Sequence, residues 1–141
     1  MVKKIKPDLK VVAWLNTGIF FPVILFVKDH DHASTCKVLE KRKAFAWLEG
    51  MKAIDPAYWN SGNWHGNSRH IKYKGQEKEL YFIHITGFDY SDYHYTKLAH
   101  EVLHVTSWCL NEVLDITKEH EAFAYTHTHV YTQCLNYIRG K

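Results

Sequence analysis

Two parts of this chain carry the short apolar runs and turn residues that are typical of β-hairpins. Near the N-terminus, residues 11–15 and the largely apolar run 19–27 flank Asn16-Thr17-Gly18. Polar residues and a glycine between two such runs favour a tight turn. The pattern therefore predicts a first hairpin whose second strand is largely buried.

A second hairpin is predicted after the first helix. Residues 68–73 and 80–86 flank Lys74-Gly75-Gln76, and the second run places Leu80, Phe82 and His84 at alternate positions. Side chains at alternate positions of a strand lie on one face of the sheet. The two hairpins together predict a small twisted sheet.

Residues 35–48 have the three- to four-residue spacing of apolar side chains that predicts a helix. Gly50 stands just past its predicted end. Two further helices, over residues 93–111 and 117–140, make the order of elements β-β-α-β-β-α-α. We therefore predict an α+β fold in which a sheet of about four strands packs on these helices.

The helix over residues 93–111 contains the motif HEVLH, in which His100 and His104 stand one turn apart. Residues i and i+4 share a helical face at about 6 Å, so both imidazoles can reach one zinc ion while Glu101 reaches the water that the metal binds. A shuffled chain of this composition would contain about 0.05 such motifs. Ser91 or Asp92 is available as N-cap, and no Pro or Gly interrupts the helix. The pattern predicts a hydrolytic zinc site.

A catalytic zinc needs a third protein ligand and an open position for water. The last helix is predicted to begin with Thr117 as N-cap. A short connection makes the last two helices antiparallel neighbours, so the first turn of one can face the middle of the other. We expect Glu121 to be the third ligand, with His120 about 100° away on the helix and His127 also pointing elsewhere. His120, His127 and His129 are the competing candidates.

HEVLH followed 17 residues later by the glutamate of EAFAY resembles the small gluzincin-type zinc metallopeptidases. Among them it is most similar to the compact HExxH proteins encoded by bacteriophages and prophages. The resemblance covers residues 96–131 and implies a minimal zincin-like domain, in which His100, His104 and Glu121 bind Zn²⁺ and Glu101 is the catalytic base. Larger gluzincins often have, four residues after the ligand glutamate, an Asp that orients a histidine ligand. Tyr125 stands at that position here.

Peptide hydrolysis at such a site also needs a hydrogen-bond donor to the oxyanion. Tyr125 lies one turn after Glu121 on the same helical face. We favour Tyr125 for this role over His84, His94 and Tyr95, which lie near the motif in sequence.

Two other segments are expected to border a cleft. In zincin folds the strand before the HExxH helix lies beside the cleft, and an extended peptide can add to its edge through main-chain hydrogen bonds. The resemblance assigns this role to residues 80–86. The loop over residues 55–67 carries Trp59, Trp64 and His65, which either rim the cleft or pack as a satellite core.

Length and composition fit one enzyme domain over residues 1–141, with 46% hydrophobic residues for a core. The net charge of +3 is spread over short clusters of Lys and Arg. A nucleic-acid-binding surface concentrates its charge on one face, so we expect no nucleic acid as partner.

The N-terminal apolar run is interrupted by Asn16-Thr17-Gly18 and Pro22, so we expect neither a signal peptide nor a membrane span. Three cysteines, an odd number, favour reduced thiols. Together these features predict a cytoplasmic protein, in the host cytoplasm if it is encoded by a phage.

The motif and its resemblance predict a zinc-dependent peptidase that hydrolyses a peptide or protein substrate, with Glu101 as general base for a metal-activated water. The alternative is a non-catalytic protein, in which zinc held by the same residues fixes the helix pair and the surface binds a partner. Glu101 binds no metal, so a purely structural site has no need of it.

Overall fold

The computed structural model describes residues 12–17, 23–111, 115 and 118–140. Four strands form one sheet: β1 (Val12–Asn16), β2 (Val23–Lys28), β3 (His65–Tyr73) and β4 (Gln76–Ile85). Their order across the sheet is β1-β2-β4-β3, with β2 and β4 parallel and the two outer pairs antiparallel. The predicted α+β class and the four-stranded sheet are confirmed.

The helices of the described residues are α1 (His32–Lys41), α2 (Phe45–Lys52), α3 (Pro56–Trp59), α4 (Asp92–Asn111) and α5 (His120–Ile138). None of these helices has the length and apolar character needed to cross a membrane.

The sheet separates two apolar cores, because side chains alternate along its strands. On one face, Tyr81, Ile83 and Ile85 of β4 pack with buried residues of α4 and α5. On the other face, Leu80 and Phe82 pack with apolar residues of α1, α2 and α3. The sheet therefore lies between two helical layers.

The strands of both predicted hairpins pair in the described residues, but the turns differ from the prediction, since Asn16 pairs with Val23 and Gln76 begins β4. Lys74 and Gly75, between β3 and β4, have φ angles of 51° and 78°. Positive φ at both central residues is the geometry of the type I′ turn, which suits the twist of a two-residue hairpin. β1 pairs with β2 from Val12↔Val27 to Asn16↔Val23. Residues 11 and 18–22 of the first predicted hairpin lie outside the described residues.

The single helix predicted over residues 35–48 is wrong, because α1 and α2 are separate helices. The chain turns at Lys43, which has a φ of 58°. The Ala44 N–H donates to Leu39 O at 2.9 Å and the Lys43 N–H to Glu40 O at 3.0 Å. These are the two hydrogen bonds of the Schellman motif, which usually has a glycine at the left-handed position. A lysine stands there instead, so the residue types of this segment do not signal the break.

The last helix begins later than predicted. α5 starts at His120, after Glu119 as N-cap, whose side chain makes no capping hydrogen bond. Thr117, the predicted N-cap, lies outside the described residues. The first turn of α5 therefore carries both His120 and Glu121.

Val102 and Leu103, the two residues between Glu101 and His104, test the orientation of α4. Val102 is fully buried, whereas Leu103 is 42% exposed. We expect Val102→Ala to lower the free energy of unfolding by about 2 kcal/mol, because it removes buried methyl groups and leaves a cavity. Leu103→Ala is the matched control and should change it by less than about 0.5 kcal/mol. Equal losses in urea denaturation would contradict the orientation of the helix.

Candidate active site

The HExxH motif lies in the middle of α4, whose apolar face packs on the sheet. Ser91 caps the helix, because its hydroxyl accepts a hydrogen bond from the His94 N–H at 3.2 Å. Leu98, Val102 and Val105 are fully buried at the spacing of one helical face. The predicted helix is confirmed, and its packing leaves both histidines of the motif exposed.

The imidazoles of His100 and His104 converge. Their Nε2 atoms lie 3.0 Å apart, and the ring planes are nearly perpendicular at 89°. Two nitrogens bound to one tetrahedral zinc at about 2.0–2.1 Å would be roughly 3.3 Å apart, so the separation of the pair fits two zinc ligands. Trp108 stacks on His104 with ring centroids 5.7 Å apart and restricts rotation of that ring.

The side chain of Glu101 lies between the main chain of α4 and β3. Only 7% of this residue is exposed. Gly66 leaves room for its carboxylate, since a Cβ on Gly66 would lie 2.9 Å from Glu101 Oε2. Burial raises the pKa of the Glu101 carboxyl, against smaller opposing effects of His100, His104 and the Gly66 amide. A carboxylate that is more basic than in water, beside a pair of imidazoles, is suited to accept a proton.

Tyr58 also interacts with this carboxylate. Its ring lies against His65 with centroids 4.1 Å apart. Burial raises the pKa of the Tyr58 hydroxyl, and the charge of Glu101 raises it further. Sequence reasoning missed both Tyr58 and Gly66. A glycine inside a strand indicates that another group approaches the main chain closely, so the sequence did contain a signal for Gly66. It contained none for Tyr58, because tertiary packing brings α3 to β3.

β3 is the edge strand beside Glu101. β4 pairs with β2 on one side, as in Ile24↔Tyr81, and with β3 on the other, as in His65↔His84. The prediction that residues 80–86 offer a free edge is therefore wrong, because both edges of β4 are paired. Among the described strands, β3 has only β4 as a neighbour, so β3 is an edge of the described sheet.

The first turn of α5 does not bring a third ligand to His100 and His104. Glu121 is exposed there. In residues 12–17, 23–111, 115 and 118–140, no group of three or more His, Cys, Asp or Glu side chains is arranged to hold a metal ion. The residues present therefore fit zinc through two imidazoles, while the third predicted ligand is not in place.

The face of α5 that contacts α4 differs from the predicted one. The His127 imidazole lies 3.3 Å from Ala99 O, so His127 is on the face of α5 that contacts α4. The prediction was that His127 points away from His100 and His104, and this contact does not contradict it. His120 precedes His127 by two helical turns and shares its face, whereas Glu121 lies about 100° further round. The antiparallel pairing is as predicted, but the helix is rotated about its own axis.

Tyr125, the predicted oxyanion donor, is 55% exposed. Its ring stacks on His129 with centroids 6.1 Å apart, and His129 Nε2 lies 3.0 Å from Asn16 Oδ1 of β1. These contacts place Tyr125 on the β1 side of α5. The structure does not bring it to His100 and His104, because the face shared with Glu121 is not the face toward α4.

The aromatic loop residues are buried, with Trp64 in the core on the α4 side of the sheet and Trp59 in the core on the other side. Trp59, Trp64 and His65 are 1%, 5% and 6% exposed. The Trp64 Nε1–H donates to Thr86 O at 2.7 Å, and His65 Nε2 lies 3.2 Å from Ser61 Oγ. The Trp64 hydrogen bond connects the segment before β3 to the end of β4, and the His65 hydrogen bond connects that segment to β3.

Comparison of the chain with protein-family models, with curated proteins and with solved structures finds no match. The motif on α4 and its contacts with β3 are therefore the features that bear on function.

Replacement of Gly66 tests the contact between β3 and Glu101. Gly66→Ala would place a methyl group 2.9 Å from Glu101 Oε2 and 3.2 Å from its carbonyl oxygen. We expect a loss of about 1–3 kcal/mol in the free energy of unfolding. In a Glu101→Ala background this loss should fall by about 1 kcal/mol, because the carboxylate is gone.

Asn67→Ala is the control, since the neighbouring residue lies on the opposite face of β3. It should cost less than Gly66→Ala in the same urea denaturation. A loss from Gly66→Ala that is unchanged in the Glu101→Ala background would contradict the contact.

Proposed function

We propose that the protein is a zinc-dependent peptidase. His100 and His104 would hold the metal, Glu101 would be the general base, and the resemblance to gluzincins supplies Glu121 as third ligand. One observation carries the proposal: two imidazole nitrogens converge to 3.0 Å beside a buried carboxylate whose pKa is raised. A helix that only packs on a sheet needs neither feature.

Zinc, when bound, supplies a Lewis acid that polarises a carbonyl and acidifies water. The role of Glu101 is to accept a proton from the attacking water and to deliver it to the leaving amine. Its burial supports this role, because a carboxylate with a raised pKa holds the proton more strongly between the two steps. Gly66 leaves room for the carboxylate against β3.

The substrate in this proposal is an extended peptide that adds to the outer edge of β3. Such a peptide is bound mainly through main-chain hydrogen bonds, so its sequence matters only at one or two side-chain positions. The support is the location of the edge, since Gly66 of β3 lies against the base. We also propose a cytoplasmic location, consistent with the unpaired thiols of Cys36, Cys109 and Cys134.

Glu101→Gln tests the general base. The amide has nearly the same shape but cannot accept a proton, so the variant should bind one zinc per chain and cleave a library of unstructured peptides at least about 100-fold more slowly. His104→Ala should lose both zinc and turnover. Glu40→Gln, at an exposed position of α1, is the control and should match the parent protein.

Elemental analysis gives the zinc content, and mass spectrometry gives the cleavage rates. Turnover that survives Glu101→Gln would remove Glu101 as base. A folded parent protein that takes up no zinc would overturn the metal assignment. Zinc binding without any turnover by the parent would favour the non-catalytic alternative.

The third ligand is tested by three single variants. We expect Glu121→Ala to weaken zinc binding by at least about 100-fold, more than the loss of an outer-shell partner usually does. His120→Ala and His127→Ala should leave the affinity nearly unchanged. Zinc titration measures the affinities, and circular dichroism checks that each variant is folded.

His120 is the sharpest comparison, because it shares the face of α5 on which His127 contacts α4. If His120→Ala abolishes zinc binding and Glu121→Ala does not, the site has three histidines. The gluzincin resemblance would then fail for the ligand set.

A further inference from the structure

A second polar centre lies on the opposite face of the sheet from Glu101. It is a cavity of about 390 Å³ at the carboxyl ends of the parallel strands β2 and β4. Its lining includes Asp29, His30 and Asp31, which follow β2, and His84 and Thr86, at the end of β4. Carboxyl ends of adjacent parallel strands are a frequent place for ligands, because the loops there diverge and leave a crevice.

His84 is the group in this cavity that lacks a partner. It is 1% exposed, and neither ring nitrogen has a hydrogen-bond partner among the described residues. The His30 main chain lies near the imidazole and raises its pKa, but its carbonyl forms a hydrogen bond of normal geometry with the Trp59 Nε1–H, at 3.0 Å, and not with His84. The Trp59 ring stacks on His84 with centroids 4.1 Å apart and planes 8° from parallel, which fixes the imidazole. An unpaired buried imidazole is costly, so it points to a ligand that completes its hydrogen bonds.

The imidazole is neutral near pH 7. Burial lowers the pKa of His84 to about 4, and the charge of His65 acts in the same direction, while the His30 main chain and, to a smaller extent, the charge of Asp29 oppose them. A neutral imidazole carries one lone pair that accepts a hydrogen bond. The ligand therefore meets an acceptor at the base of the cavity, not a cation.

The other charged groups of the lining are carboxylates. Asp29 Oδ1 accepts from the Gly87 N–H at 2.8 Å, and Asp31 Oδ1 accepts from the Ser34 N–H at 2.7 Å. The bond to Gly87 uses one oxygen of Asp29 and leaves the second, whereas both the main chain and the hydroxyl of Ser34 interact with the Asp31 carboxylate, which contributes its charge. The His32 N–H at the start of α1 is bound to Asn60 Oδ1 at 2.8 Å. An anion would thus meet two negative charges and helix amides that are already occupied.

We propose that this cavity binds a small organic cation that carries a guanidinium or ammonium group, with Asp29 and Asp31 as counter-charges and His84 as acceptor. Its volume falls in the range of small-molecule pockets, roughly 300–1,000 Å³. A bare metal ion fits less well, because no three His, Cys, Asp or Glu side chains in the part of the chain that the structure describes are arranged around one ion.

Methylguanidinium and its uncharged analogue methylurea are the probes, because they have nearly the same shape. Titration is followed by the ring signals of His84 in ¹H–¹⁵N spectra of the full chain. Methylguanidinium should shift these signals to saturation, and methylurea should bind at least about tenfold more weakly, because it makes no charge-assisted hydrogen bonds.

The double variant Asp29→Asn and Asp31→Asn removes both charges but keeps the oxygens that accept from Gly87 and Ser34. It should weaken methylguanidinium binding by about tenfold or more. Asp55→Asn is the matched control, because Asp55 caps α3 with a hydrogen bond from the Ala57 N–H at 3.0 Å and does not line the cavity. It should bind as the parent does. If the double variant is unfolded by circular dichroism, Asp31→Asn alone is used, since Asn is an equally good N-cap.

Methylurea that binds as tightly as methylguanidinium, undiminished binding by the charge-neutral variant, or no shift of the His84 signals at about 10 mM probe would each overturn the proposal. Zinc that binds at His84 and displaces the probe would do so too. His104→Ala should retain methylguanidinium binding, because the two centres lie on opposite faces of the sheet. Failure of the peptidase proposal would therefore leave this result intact.

Discussion

Packing of the apolar face of α4 on the sheet is the constraint that decides where each group of the motif lies. Val102 is fully buried in this contact. Successive helical residues are about 100° apart. Glu101 therefore points into the contact between α4 and β3, whereas His100 and His104 face solvent. The raised pKa of Glu101 follows from the same packing, since this contact removes water from the carboxylate. The raised pKa of Glu101, its position against β3 and the exposure of His100 and His104 thus have one physical cause.

The sequence predicted the elements with strong local signals. The turn at Lys74-Gly75, the alternation in β4 and the apolar face of α4 were all readable, because short-range sterics and burial determine them. The break at Lys43 was not, because a lysine occupies the left-handed position that glycine usually marks. The parallel pairing of β2 with β4 was not readable either, since the two strands are far apart in sequence. This pairing is what makes β3, and not β4, the edge beside the motif.

Rotation of α5 about its axis was the other feature that sequence could not supply. The spacing of apolar residues gives the helix but allows a range of rotations, and the contacts of His127 with Ala99 and of His129 with Asn16 select one. The predictions for Glu121 and Tyr125 both assumed that the face of α5 that carries them points toward α4. The candidate site was therefore predictable within α4, where one helix fixes the geometry, and not across the helix pair.

Alternation along the sheet gives the chain two polar centres that stay separate although they are adjacent in sequence. Gly66 lies against Glu101, and its neighbour His65 pairs with His84 across β3 and β4. Successive residues of a strand point to opposite faces, so the carboxylate belongs to the α4 side and the unpaired imidazole to the α1–α3 side. The two centres therefore face different helical layers.

In the proposed zinc site the third ligand comes from the start of α5, and the energetics of this turn permit such a ligand. Glu119 gives the helix no side-chain cap, so the N-cap side chain does not stabilise the main-chain amides of the first turn. Refixing one turn of about four residues costs roughly 4–8 kcal/mol of backbone conformational entropy at most. Zinc binding to a full ligand set is worth about 10–16 kcal/mol in structural sites, which exceeds that cost. Metal uptake at His100 and His104 would then be coupled to the position of this turn, and a Glu121 ligand would leave more negative charge at the metal than a histidine.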